Sequence, residues 1–78
     1  MKIGVPKEIK IHEYRVGLVP AGVRELVDSG HQVLVQSGAG SGIGFEDLHY
    51  KSAGAAIARR AEDVFATSDL VEIGRAHV

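Results

Sequence analysis

Two stretches of this 78-residue chain carry residue types that could do chemistry. The first is the charged run after Pro6, with Lys7, Glu8, Lys10, Glu13 and Arg15. Arg15 is the candidate ligand-binding residue in it. A guanidinium can grip a carboxylate through two parallel charge-assisted hydrogen bonds, each worth about 1.5–3 kcal/mol. A solvated loop arginine is the commoner case, so residue type alone does not assign the role. The second stretch is Ser37-Gly38-Ala39-Gly40-Ser41-Gly42-Ile43-Gly44. Glycines in such a run let a backbone approach a phosphate at a helix N-terminus.

The context of the glycines argues against a phosphate site. "VLVQSGAGSGIG" is similar to the TGxxxGIG turn of short-chain dehydrogenases, but that turn belongs after a chain's first strand. Here a strand and a helix are expected before it. Ile43 stands where the third glycine of GxGxxG would fall, and no acid follows a second strand about 20 residues on. Glu46 and Asp47 lie at the start of the next expected helix, where they would repel phosphate. The stretch is therefore expected to be a strand-to-helix loop. The four histidines, His12, His31, His49 and His77, show no metal-ligand spacing. His31 is expected to support the end of a helix, and His49 to sit mid-helix and exposed. No Ser–His–Asp constellation is readable, and no metal site is expected.

Composition narrows the classes. Nine Lys and Arg against ten Asp and Glu leave a net charge of −1, unlike the basic face of a nucleic-acid module. No run reaches the roughly 20 apolar residues of a membrane span. Lys7 and Glu8 cut off any signal-peptide core. The chain has no cysteine, which removes disulfides and thiol chemistry and fits a reducing cytoplasm.

The elements that must position these residues follow from pattern. Lys2-Ile3-Gly4-Val5 reads as a strand stopped by Pro6. Residues 6–19 read as a long functional loop, with a brief strand possible where Ile9 and Ile11 alternate with charges. Pro20 suits a first helical position, Val23, Leu26 and Val27 form an apolar stripe, and Gly30 suits a left-handed C-cap. This predicts a helix over 20–29. Val33-Leu34-Val35 reads as a buried parallel strand. A second helix is expected over 45–53, stopped by Gly54. Ala55-Ala56-Ile57 is a weak strand. A third helix spans 60–67, with Ala61, Val64 and Phe65 expected on one face, and Asp69-Leu70-Val71 opens a fourth strand. Alternating strands and helices predict an α/β, doubly wound, Rossmann-like parallel sheet, of which this is the N-terminal portion.

A resemblance adds to this reading. Residues 4–30, "GVPKEIKIHEYRVGLVPAGVRELVDSG", followed by "HQVLVQSGAGSGIGFEDLHYKSAGA" and "SDLV", are similar to the start of the alanine dehydrogenase family, which includes the first domain of the NAD(P) transhydrogenase alpha subunit. The spacing of Gly-x-Pro-x-Glu, Glu-x-Arg-Val and Pro with Val-x-x-Leu is specific, and the likeness covers residues 1–71. Three departures stand out. His12 replaces a frequent Asn, Gly17 a common Ala, and Val19 the usual Thr or Ser that could cap a helix. None touches Arg15.

The resemblance implies a parent oxidoreductase of L-alanine catabolism. It would convert L-alanine, NAD and water to pyruvate, ammonia and NADH, with Arg15 binding the substrate carboxylate. It implies a substrate domain beginning with residues 1–71, and NAD bound by a downstream domain. No catalytic or cofactor-binding residue is then expected within the chain, and the chain alone is expected to be inactive. The implied parent is a cytoplasmic homo-oligomer, a hexamer, without nucleic-acid or membrane partners. The alternatives are an N-terminal fragment of a transhydrogenase alpha subunit and a non-enzymatic stand-alone α/β module. Residues 72–78, Glu72-Ile73-Gly74-Arg75-Ala76-His77-Val78, depart from the family's Lys-Val-Lys-Glu-Pro strand. They look like translated sequencing adapter, a non-native tail in which Arg75 meets the family's substrate lysine position by coincidence.

Overall fold

The computed structural model describes residues 1–7 and 18–71. Its elements run β1 (Lys2–Val5), α1 (Pro20–Asp28), β2 (Gln32–Gln36), a 3-10 turn (Ser41–Ile43), α2 (Asp47–Ser52), β3 (Ala56–Ala58), α3 (Ala61–Thr67) and β4 (Leu70–Val71). The possible strand at Ile9 and Ile11 lies outside the described residues. The four strands form one sheet in the order β3-β2-β1-β4. All three pairings are parallel, with Ile3 opposite Val33, Val35 opposite Ile57, and Gly4 opposite Val71. This is the expected architecture.

Strand alternation sorts the two faces of the sheet. Ile3, Val5, Val33 and Val35 share one face and pack in a buried cluster with Val23 of α1 and Tyr50 of α2. Gly4 points the other way, onto α3. A Cβ added there would collide with the Ser68 hydroxyl and come within 2.6 Å of Val64 Cγ1. So Gly4 is a close-approach glycine that lets the short α3 lie against the sheet. On α3 Val64 is fully buried, whereas Phe65 is 54% exposed. The expected shared face for Ala61, Val64 and Phe65 is thus corrected. A seven-residue helix aims Val64 over Gly4, and its neighbour Phe65 turns roughly 100° toward solvent.

The helix ends follow local chemistry. Val19 is the N-cap of α1 and makes no side-chain capping bond, as expected of a residue without a hydroxyl. At the other end Gly30 takes φ +96°. Its N–H donates to Val27 O, and the His31 N–H donates to Leu26 O, a Schellman motif. Gly54 repeats the device after α2, with φ +107° and bonds to Lys51 O and, from Ala55, to Tyr50 O. Arg24 of α1 caps the Ser52 carbonyl at 2.7 Å. The second helix starts at Asp47 rather than Phe45, because Glu46 holds an extended ψ of 165° as N-cap. β4 is held to β1 by a reciprocal pair of bonds, Asp69 N–H to Lys2 O and Lys2 N–H to Asp69 Oδ2. Among the described residues, no helix is long and apolar enough to cross a membrane.

Candidate functional site at the carboxyl ends of the strands

In an open parallel sheet, ligands bind outside the carboxyl ends of the strands where the strand order reverses. In the order β3-β2-β1-β4 the reversal falls between β1 and β4. The described chain leaves β1 beside this switch point at Pro6 and Lys7, and residues 8–17 follow in sequence. Arg15 and His12 are among them, outside the described residues. Lys7 and Leu18 flank the segment, and both are held. The Lys7 backbone N–H donates to Gln36 Oε1 at 2.7 Å. The Leu18 carbonyl accepts a hydrogen bond from the Tyr50 hydroxyl at 2.8 Å.

The glycine stretch leaves the carboxyl end of β2, one strand away. Its interior is already occupied. Asp47 folds back so that Oδ2 accepts from the Ser37 hydroxyl at 2.6 Å and Oδ1 accepts from the Gly38 N–H at 2.8 Å. The Gly38 amide, the Ser37 hydroxyl and, more weakly, Lys51 hold the Asp47 carboxyl below its ordinary pKa against some desolvation. The carboxylate therefore sits where a phosphate oxygen would sit at a glycine turn. Sequence reasoning saw that Asp47 would repel phosphate but missed that it replaces it. The available signal was an acid at the first position of the next helix, nine residues after a glycine that must adopt positive φ. These residues do not fit a dinucleotide pyrophosphate.

The glycines have another use. A Cβ at Gly40 would lie 2.8 Å from both Cε2 and the hydroxyl of Tyr50, and 2.9 Å from Phe45 Cβ. Gly40 thus makes room for the Tyr50 ring, which is fully buried. Phe45 meets Tyr50 edge-on at 6.4 Å and His49 edge-on at 5.8 Å, a favourable aromatic geometry. Burial pushes the Tyr50 phenol up, so it remains a protonated donor across the ordinary pH range.

The other histidine expectations divide. His49 is exposed as expected, but it lies in the first turn of α2, where its Nδ1 accepts the Glu46 N–H at 2.8 Å. The support expected from the His31 side chain is corrected. Its Nδ1 is buried without a hydrogen-bond partner, and the backbone N–H satisfies the helix end instead. His77 lies outside the described residues. Among the described residues no group of acids and histidines could hold a metal ion. A half-open cavity of about 480 Å³ lies at the opposite, amino ends of the strands, lined by Lys2, His31, Gln32, Gly54 and Ser68 among others. The topology and the two held flanks favour the carboxyl-end crevice over it, and the Ser68 oxygen is turned onto Gly4.

Comparison with known proteins agrees with this architecture. The family model described as alanine dehydrogenase/PNT, N-terminal domain, matches residues 4–73. The chain is 51% identical over 71 residues to alanine dehydrogenase of Halomonas elongata, covering 91% of this chain and 19% of that protein. A solved structure of L-alanine dehydrogenase superposes with a TM-score of 0.90 at 48% identity, over 94% of this chain and 20% of the other. The transhydrogenase from Sinorhizobium meliloti superposes with a TM-score of 0.84 at 32% identity, over 91% and 21%. The chain spans about one fifth of the length of the curated relatives it matches. With a family match over most of its residues and a parallel sheet of the same form, the chain belongs to the alanine dehydrogenase/PNT N-terminal domain family.

Proposed function

We propose that this chain is the N-terminal part of the substrate domain of an NAD-dependent alanine dehydrogenase. The parent would interconvert L-alanine and pyruvate with release or uptake of ammonia. The observation that carries the reading is the gradient of identity, 51% and 48% to alanine dehydrogenases against 32% to the transhydrogenase. In this reading residues 1–71 belong to the substrate domain. We infer that residues 72–78 are a foreign tail, into which the family match runs by two residues; genomic sequence across codon 71 tests this.

Arg15 clamps the substrate carboxylate with its guanidinium fork and fixes the orientation of the alpha carbon. Its support is the family resemblance and its position in the sequence after β1, whose carboxyl end borders the topological switch point. NAD is held by another part of the parent, since Asp47 fills the glycine turn here. The parent acts in the cytoplasm as a homo-oligomer, a hexamer by the resemblance. The test is to purify the product of the full reading frame and supply L-alanine and NAD. The expected result is stoichiometric pyruvate, ammonia and NADH. Hydride exchange between nicotinamide nucleotides, without dependence on alanine, would support the transhydrogenase reading instead.

A further inference from the structure

Lys7 is the first charged residue beyond β1, and its main chain is fixed by the bond from its N–H to Gln36 Oε1 at 2.7 Å. Gln36 is the last residue of β2, which runs parallel to β1. The bond therefore ties the carboxyl ends of the two strands together. From there the Lys7 side chain runs toward Gly38. A Cβ at Gly38 would stand 3.6 Å from Lys7 Nζ and 3.8 Å from Cδ and Cε. The stem thus lies along the glycine turn and brings the ammonium beside it, with the side chain still exposed. Asp47, the acid that closes this turn, takes its hydrogen bonds from Ser37 and Gly38 and its nearby positive charge from Lys51. Lys7 is not its counter-ion.

We propose that Lys7 is a specificity-determining residue of the substrate site, its ammonium supplying positive charge at the carboxyl ends of β1 and β2 that draws in the carboxylate of the amino or keto acid. This end of an open parallel sheet is where ligands bind, and the low-dielectric walls of a crevice strengthen the field of a charge at its mouth. An ammonium is a point charge with three donors and no fixed fork. Its part is therefore attraction of an acid in preference to a neutral analogue, not orientation of the reacting carbon. The bond to Gln36 and the contact of the stem with the Gly38 turn remove some of the freedom a lysine would otherwise lose on binding. The inference rests on the alanine dehydrogenase reading proposed above and is independent of where Arg15 lies.

The test uses the full-length parent, assayed for amination of pyruvate at low ionic strength. K7M keeps an unbranched stem and removes the charge, whereas K7R keeps the charge. The expected result is a pyruvate KM raised about three- to tenfold by K7M, with the NADH KM unchanged and K7R within about twofold of the parent. A K7M pyruvate KM within about twofold of the parent overturns the role. So do equal rises in K7M and K7R, which report shape and not charge, and equal rises in the KM for pyruvate and for NADH, which report a general disturbance. A K7M protein that unfolds at lower temperature with pyruvate KM intact shows a structural role alone and also overturns the proposal. A parent that does not aminate pyruvate at all defeats the alanine dehydrogenase reading, and the role of Lys7 with it. An active parent whose pyruvate KM ignores K7M defeats the role of Lys7 alone.

Discussion

The junctions after β1 and after β2 leave the same, carboxyl end of one sheet, and Gln36 and Tyr50 around the second hold the described flanks of the first. After β2, the turn is closed by its own neighbours. Gly38 takes positive φ, its amide and the Ser37 hydroxyl go to Asp47, and Gly40 yields space to Tyr50. After β1, the described flanks Lys7 and Leu18 are held by Gln36 and Tyr50, and the charged residues between them lie outside the described residues. A glycine-rich turn next to a helix invites a phosphate reading. An acid at the first position of that helix, reaching back to the Gly38 amide and the Ser37 hydroxyl, turns it into a self-closed scaffold. The switch point of the sheet, not the glycine count, marks where a ligand belongs.

This contrast can be broken at the tyrosine. Y50A empties the seat that Gly40 provides, and by analogy with other buried aromatic truncations it should cost about 3–5 kcal/mol of domain stability. Hydrogen exchange of the β2 amides in the full-length protein reads it. A loss below about 1 kcal/mol would mean the junction is not organised around that ring. G40A tests the same seat from the other side. It should overpack the site and cost about 1–3 kcal/mol by the same readout, and G40A in a Y50A background should cost less, because the colliding ring is gone.

Asp47 sharpens the contrast with a pH dependence. D47N keeps the shape but removes the charge, and should cost about 1–2 kcal/mol near neutral pH from two weakened hydrogen bonds. Because the native carboxyl is held below its ordinary pKa, the unfolded chain binds the proton more readily. The charge therefore stabilises the fold above the ordinary carboxylate range, and that contribution is lost as pH falls through the lowered native value. The gap between parent and D47N should close below about pH 4. A gap that is constant with pH would remove the carboxylate from the account. The smallest effect is expected at His49. H49A deletes the acceptor for the Glu46 N–H on an exposed helix start and should cost about 0.5–1 kcal/mol, without change in pyruvate KM.

Much of the fold was legible because it is local. Pro20, Gly30 and Gly54 mark helix ends by backbone chemistry that any context preserves, and the β-branched run at Val33-Leu34-Val35 could only be a covered strand. The misreadings are those that depend on what a neighbour does. Phe65 sits at helical spacing with a buried residue, but α3 is too short and too close to the sheet at Gly4 for both to be covered. His31 follows a helix end, yet the backbone alone completes the cap. Asp47 was read by its charge, and its partner nine residues earlier became visible only once the turn had formed. Tyr50 and Leu18 meet across 32 residues, and no periodicity encodes that. Arg15 was picked out by residue type, position and resemblance together.

The central claim is that Arg15 binds the substrate's carboxylate. Its most direct test is the pyruvate KM of R15A in the full-length parent. Loss of a two-bond charged clamp predicts a rise of about a hundredfold or more, with NADH affinity held within about twofold of the parent. A pyruvate KM that stays within about twofold of the parent would contradict it.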